Sequence, residues 1–182
     1  MKTKDAILFL TGLLIGATLS VFFAPQFTGF TTGPGTNPEN ISVFFCPTDP
    51  CAEELIFRIN SAQSSVDIAI YSFTLDEISD ALIDAKQRGV KVRVLFDEGE
   101  SKSQYSEDEK LAANQISIKR FEKTRGLMHN KFAIIDQHTV ITGSYNYSQN
   151  ATQYNNENLI AIKNTRIASQ YQTAFEFLWN QS

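Results

Sequence analysis

From residue 41 onward this chain alternates short runs of β-branched and apolar residues with longer amphipathic stretches, and that alternation limits its fold more than any other feature. Residues 41–45 (Ile-Ser-Val-Phe-Phe) read as a strand. Residues 52–62 place Leu55, Ile56 and Ile59 at helical spacing, and 65–73 alternate with the period of a strand. A second amphipathic run, 76–88, carries Ile78, Leu82, Ile83 and Ala85 and stops at Gly89. A strand at 90–96, a short helix at 107–115, a strand at 116–121, a strand-like Leu-Ile-Ala-Ile at 159–162 and a closing helix at 165–179 extend the series. Strands interleaved with helices predict an α/β fold, an α/β/α sandwich in which helices cover both faces of a mixed sheet. No internal repeat is visible.

Between these elements lies His129-Asn130-Lys131-Phe-Ala-Ile-Ile-Asp136-Gln-His-Thr-Val-Ile-Thr-Gly143-Ser144-Tyr145-Asn146, or H-x-K-x4-D-x6-G-S-x-N. With average residue usage, six identities at fixed spacings arise by chance on the order of 10⁻⁸ per start position. Residues 131–135 and 139–142 read as two strands of a hairpin around the polar turn Asp136-Gln137-His138. On a strand, residues i and i+2 share a face, so His129 and Lys131 project together, while Asp136 faces away and takes a structural role at the turn. Gly143 permits a close backbone approach, with Ser144 and Asn146 just beyond it. An imidazole, an ammonium, a hydroxyl and an amide in one small volume suit an anionic phosphodiester. His138 occupies no motif position and reads as a solvent-exposed turn residue.

The pattern resembles the HKD signature of the phospholipase D superfamily, whose members break phosphodiester bonds. The resemblance runs from about residue 41 to the C-terminus, including Ala69-Ile-Tyr-Ser-Phe-Thr74 and Gly89-Val-Lys-Val. It is nearest to the short, single-motif endonucleases of that superfamily, since longer relatives carry two copies. The resemblance implies that His129 forms a phosphohistidine, that Lys131 and Asn146 bind phosphate oxygens with Ser144 in support, and that Glu157 holds one ring nitrogen of His129. It implies no metal and no cofactor. It also implies a homodimer. The superfamily uses two histidines across one phosphate, whereas this chain holds one motif, and His138 reads as too close in the same hairpin to serve as the second.

The formal net charge of −4 argues against a nucleic-acid footprint over the whole surface. Locally, Lys119, Arg120, Lys123 and Arg125 lead into the motif and form an expected basic approach for a polyanion, although surface strands often carry such runs. Tyr145, Tyr147 and Tyr154 are available to stack on bases, to contact lipid or simply to pack.

Residues 6–23 form an uncharged apolar run at the short end of what spans a bilayer. An uncleaved transmembrane anchor (6–24) is the favoured reading, with a cleaved signal peptide and a secreted product as the rival. Lys2 and Lys4 precede the run and the next basic residue is Arg58, so the first five residues are expected in the cytoplasm and the rest outside. Residues 25–40, with their Gly, Thr and Pro content, read as a linker, leaving 41–182 as the catalytic domain. Gly12 and Gly16 form a small-residue face that suits helix pairing. Outside the cytoplasm, Cys46 and Cys51 read as a local disulfide, with two unpaired thiols as the alternative.

Three functions are consistent with these features. The first is a membrane-anchored, metal-independent endonuclease of low specificity. The second is a phospholipase D-type hydrolase acting on phospholipid or cardiolipin. The third is a nucleic-acid-binding module that does not cut, which would have no need of the nucleophile.

Overall fold

The computed structural model describes residues 40–122 and 126–182. The expected anchor and nearly all of the linker, with Lys123 and Arg125, lie outside the described residues. The elements in chain order are β1 (Ile41–Cys46), α1 (Cys51–Ser61), β2 (Ser65–Ile70), α2 (Asp76–Gln87), β3 (Lys91–Asp97), α3 (Glu98–Ser101), α4 (Asp108–Ala113), β4 (Ser117–Phe121), β5 (Lys131–Ile135), β6 (Thr139–Gly143), α5 (Gln149–Gln153), β7 (Glu157–Lys163) and α6 (Thr165–Gln181). The strands form one sheet in the order β1-β7-β6-β5-β2-β3-β4. β2, β3 and β4 are parallel, joined by helical crossovers, and every other pairing is antiparallel. The sheet is therefore mixed, as the sequence predicts.

Strand parity divides the core into two layers. Val66, Ile68, Ile70, Val92, Val94, Phe96, Ala133, Ile135 and Ile141 face one side and pack with Leu55 and Ile59 of α1, Ile78 and Leu82 of α2, and Leu111 of α4. The intervening residues Ala69, Leu95, Phe132, Ile134 and Val140 face the other side, against Ala168 and Phe175 of α6. Each fully buried Leu, Ile or Phe contributes about 1.5–3 kcal/mol relative to exposure. A salt bridge lies within the second layer: Arg93 donates to Asp67 at 2.7 Å and to Glu176 at 2.6 Å, with its guanidinium over the rings of Phe175 and Trp179.

α6 crosses β4, β2, β5 and β6. On the same face, at the far edge of the sheet, β1 leaves Ile41, Val43 and Phe45 exposed, Phe45 by 61%. Cys46 and Cys51 are joined in a disulfide that ties the end of β1 to the start of α1, with a Cα–Cα distance of 5.9 Å.

The hairpin turn between β5 and β6 departs from ordinary backbone geometry. Asp136 and Gln137 have φ of 51° and 58°, the left-handed pair of a type I′ turn, and His138 N–H closes it on the Ile135 carbonyl at 3.1 Å. The Asp136 carboxylate accepts the backbone N–H groups of Gln63, Ser64 and Ser65 and the Ser64 hydroxyl, at 2.7–3.2 Å. Burial pushes its pKa up, but these donors outweigh burial and hold the carboxyl below its ordinary value.

Candidate active site

The motif residues gather at one lip of the sheet. Strand register explains this: Ile70 at the end of β2 pairs with Lys131 at the start of β5, and Gly143 at the end of β6 pairs with Leu159 near the start of β7. Four strands therefore present their motif-bearing ends together. In open α/β sheets the lip beyond the carboxyl ends of the parallel strands is where ligands bind.

The chain segment that delivers His129 is pinned on both sides. Asp97, buried at the end of β3, accepts Met128 N–H at 2.9 Å through Oδ2, while its Oδ1 caps α3 by accepting the N–H groups of Gly99 and Glu100. Tyr71 N–H donates to the Asn130 carbonyl at 2.9 Å, extending the β2–β5 ladder by one step. Between these anchors His129 is exposed, and its ring lies against Tyr71 with centroids 4.4 Å apart. Lys131 Nζ donates to the His129 carbonyl at 3.0 Å and sits 4.8 Å from the centroid of the same tyrosine ring. Burial lowers the Lys131 ammonium below its ordinary pKa, and the charges of Glu157 and Glu100 oppose that shift.

Across the lip, Ser144 donates to Glu157 and accepts from the Asn158 N–H at 3.1 Å, while Asn155 donates to the other Glu157 oxygen at 3.2 Å. Gly143 makes this crossing possible. Its φ is +150°, and a Cβ there would stand 2.1 Å from the Asn158 carbonyl oxygen. Among the described residues, Asn146 keeps a buried Oδ1 without a hydrogen-bond partner. Such a group costs about 1–3 kcal/mol, and the amide is free to satisfy itself on a ligand.

Several expectations are corrected by this geometry. The Glu157–His129 hydrogen bond is not made: Glu157 opens β7, where Ser144 and Asn155 take its oxygens, while the His129 ring leans on Tyr71. Lys119 belongs to no approach to the site. Its ammonium closes the end of α6 by donating to the Trp179 and Ser182 carbonyls at 2.6 and 2.9 Å, where the helix dipole favours a cation. Arg120 is paired with buried Asp108. His138 is only partly exposed and lies at the opposite end of the β5–β6 hairpin, so it is too far from His129, not too close, to share a phosphate with it. Tyr145 and Tyr147 are buried and pack, whereas Tyr154 is exposed. Burial pushes the Tyr145 phenol up to about 12. Sequence reasoning missed Tyr71, Asp97 and Asn158. The first two signal only through their position at the ends of β2 and β3.

Two open cavities are formed by the described residues. One of about 480 Å³ lies beside Pro50, Cys51 and Thr152, and one of about 490 Å³ lies beside Lys102 and Arg120. A lysine, an imidazole and neutral polar groups on an open lip suit one class of ligand, an anionic phosphodiester.

Comparison with known proteins agrees with that class. Residues 55–179 match the family model described as cardiolipin synthase, PLD-like domain. The chain is 33% identical over 122 residues to a mitochondrial cardiolipin hydrolase of Chlamydomonas reinhardtii, covering 67% of this chain and 54% of that protein. It is 36% identical over 132 residues to a phospholipase D of Rickettsia prowazekii, covering 72% of this chain and 64% of that protein. It thus spans between half and two thirds of the length of these curated relatives. Among solved structures, Nuc from Salmonella typhimurium, a phospholipase D family member, superposes with a TM-score of 0.73 at 30% identity, covering 78% of this chain and 94% of that one. This chain belongs to the phospholipase D superfamily, a family of phosphodiester hydrolases.

Proposed function

We propose that this protein is an endonuclease of low sequence specificity that needs no metal and works through a phosphohistidine in a site shared by two copies of the chain. His129 attacks phosphorus, and the bond to the leaving oxygen breaks as the partner copy's imidazole donates a proton to it. That second imidazole then takes a proton from water, which attacks phosphorus and releases His129. Lys131 and Asn146 bind the non-bridging oxygens, and Ser144 and Glu157 brace the far side of the lip.

The observation that carries this reading is the isolation of His129 at the lip. It has Lys131 beside it, and the chain's other histidine lies at the far end of the hairpin. A two-imidazole mechanism then needs a second chain. The exposed strip Ile41, Val43 and Phe45 supports that arrangement, because it ends beside Cys46, which pairs in register with Glu157. The similarity over 94% of Nuc supports a short catalytic domain, and an open lip suits a polymer. The anchor proposal rests on residues 6–23 and the placement of Lys2 and Lys4, and it puts the domain on the outer face of the membrane.

A phospholipid or cardiolipin substrate is the second reading. It is favoured by the names of the curated relatives and by Leu127, 58% exposed two residues before His129. Incubating the full chain in EDTA with plasmid DNA, RNA and cardiolipin vesicles separates the two. Cleavage of nucleic acid alone is expected, and cleavage of lipid alone reverses the assignment. Activity lost in EDTA and restored by a divalent ion overturns the metal-free chemistry. Mixing wild-type with His129→Ala chains after verified exchange is expected to depress activity beyond dilution, and a loss that only follows dilution overturns the shared site.

A further inference from the structure

Tyr71 takes no part in that mechanism, yet its side chain touches both groups on which the chemistry depends. Its ring lies 4.4 Å from the His129 ring, with the planes tilted by 56°, and 4.8 Å from the Lys131 ammonium. Its backbone N–H holds the carbonyl of Asn130, the residue between them.

The manner in which Lys131 is held is informative. Lys110 in the same chain is surrounded by carboxylates: Asp80 at 2.8 Å, Asp76 at 2.9 Å and Glu107 at 3.4 Å. Its charge is spent on structure. Lys131 has no carboxylate at salt-bridge distance among the described residues, and its contacts are the Tyr71 ring and the His129 carbonyl oxygen. A carboxylate in that place would compete with a phosphodiester for the ammonium. A π-face and a carbonyl attract the cation yet leave its full charge available. Lysine is a point charge on a flexible four-carbon stem, so without a shelf it would sample many positions on an exposed lip.

We propose that Tyr71 is the positioning residue of this site, its ring holding the Lys131 ammonium and the His129 imidazole in working register without neutralising the charge. The proposal rests on the assignment of His129 and Lys131 to the chemistry. It predicts that the ring, and not the hydroxyl, matters. A misplacement of about 1 Å at a reacting group costs on the order of 100-fold in rate, so Tyr71→Leu should lower kcat roughly 10- to 100-fold with little change in KM, while Tyr71→Phe keeps most of it.

The test uses the full chain in mild detergent, with kcat, KM, thermal midpoint and proton NMR of the imidazoles. The chain has two histidines, so His138→Asn assigns the His129 resonances. In the wild type, the His129 ring protons should be displaced by the tyrosine ring current. Tyr71→Leu should remove that displacement together with the loss of kcat, and Tyr71→Phe should retain both. An undisplaced His129 resonance in the wild type overturns the proposal without recourse to any variant. So does a Tyr71→Leu chain with normal kcat, one whose loss lies wholly in KM, or a Tyr71→Phe chain as impaired as Tyr71→Leu. His129→Ala is assayed in parallel. If it stays active, the catalytic assignment has failed; if it is dead while Tyr71→Leu turns over normally, only the role of Tyr71 has.

Discussion

The two ends of the β5–β6 hairpin carry polar motif residues under opposite conditions. At the turn, Asp136 is saturated: three backbone N–H groups and a hydroxyl converge on its carboxylate and join the turn to the loop before β2. At the lip, His129 is exposed, and among the described residues Lys131 is partly buried without a carboxylate partner and Asn146 Oδ1 is unpaired. Both sets belong to one sequence pattern. A saturated polar group stabilises the fold, and an unsaturated one is available to a ligand.

The sharpest way to break this contrast is to exchange effects between the two ends. His129→Ala is expected to lower turnover on the order of 10³-fold or more while leaving the thermal midpoint near that of wild type, because an exposed side chain is removed. Lys131→Ala should cost about 10²–10³-fold, as for other lost charge stabilisation of a transition state. Steady-state kinetics with a melting curve on the same samples checks both, and near-normal turnover by His129→Ala would remove the distinction between the two ends.

Gly143→Ala should be the largest stability change at the lip. The added Cβ meets the Asn158 carbonyl at 2.1 Å in a backbone conformation that L side chains avoid, and relief requires breaking the Ser144–Asn158 contact at 3.1 Å. A loss of about 2–4 kcal/mol is expected in urea unfolding. A stable, active variant would show that the crossing of β6 and β7 tolerates movement.

Asp136→Asn should act on the fold alone. Its carboxyl is held below the ordinary value of about 3.9, so ionisation favours the folded state above that pH, and this stabilisation is lost as pH falls through the folded-state value. The variant should be about 1–3 kcal/mol less stable at pH 7, with the gap closing in acid and with activity per folded molecule unchanged. A gap that does not depend on pH contradicts the role given to the charge.

The smallest effect concerns Glu157. Its charge raises the Lys131 pKa against the burial that lowers it, so Glu157→Gln should lower that pKa further and move the alkaline limb of the rate profile to lower pH. A limb that stays in place, or moves upward, would mean that Lys131 does not set it.

Much of the fold was legible in the chain. The predicted strands and long helices agree with the observed ones to within a few residues, because their apolar residues keep a clear period, helped at α2 by the stop at Gly89. The short helices α3 and α5 were not predicted: four or five residues are too few to show a period. The site was legible as a set of identities, but the basic run was misread. Lys119 and Arg120 are adjacent in β4 and so point to opposite faces, one to the end of α6 and the other to Asp108. That separation follows from strand parity once the neighbouring helices are in place.

The sequence by itself determined the family, the mixed α/β architecture and the residues that form the lip, since spacing along a strand and the chemistry of side chains are local properties. Only the tertiary structure decided which charges remain free. Lys110 and Lys131 are indistinguishable as letters. One is placed by α4 among the carboxylates of α2, and the other is placed by the β2–β5 register against the ring of Tyr71. The availability of a charge depends on its partners in space, and those are brought together only when distant segments pack.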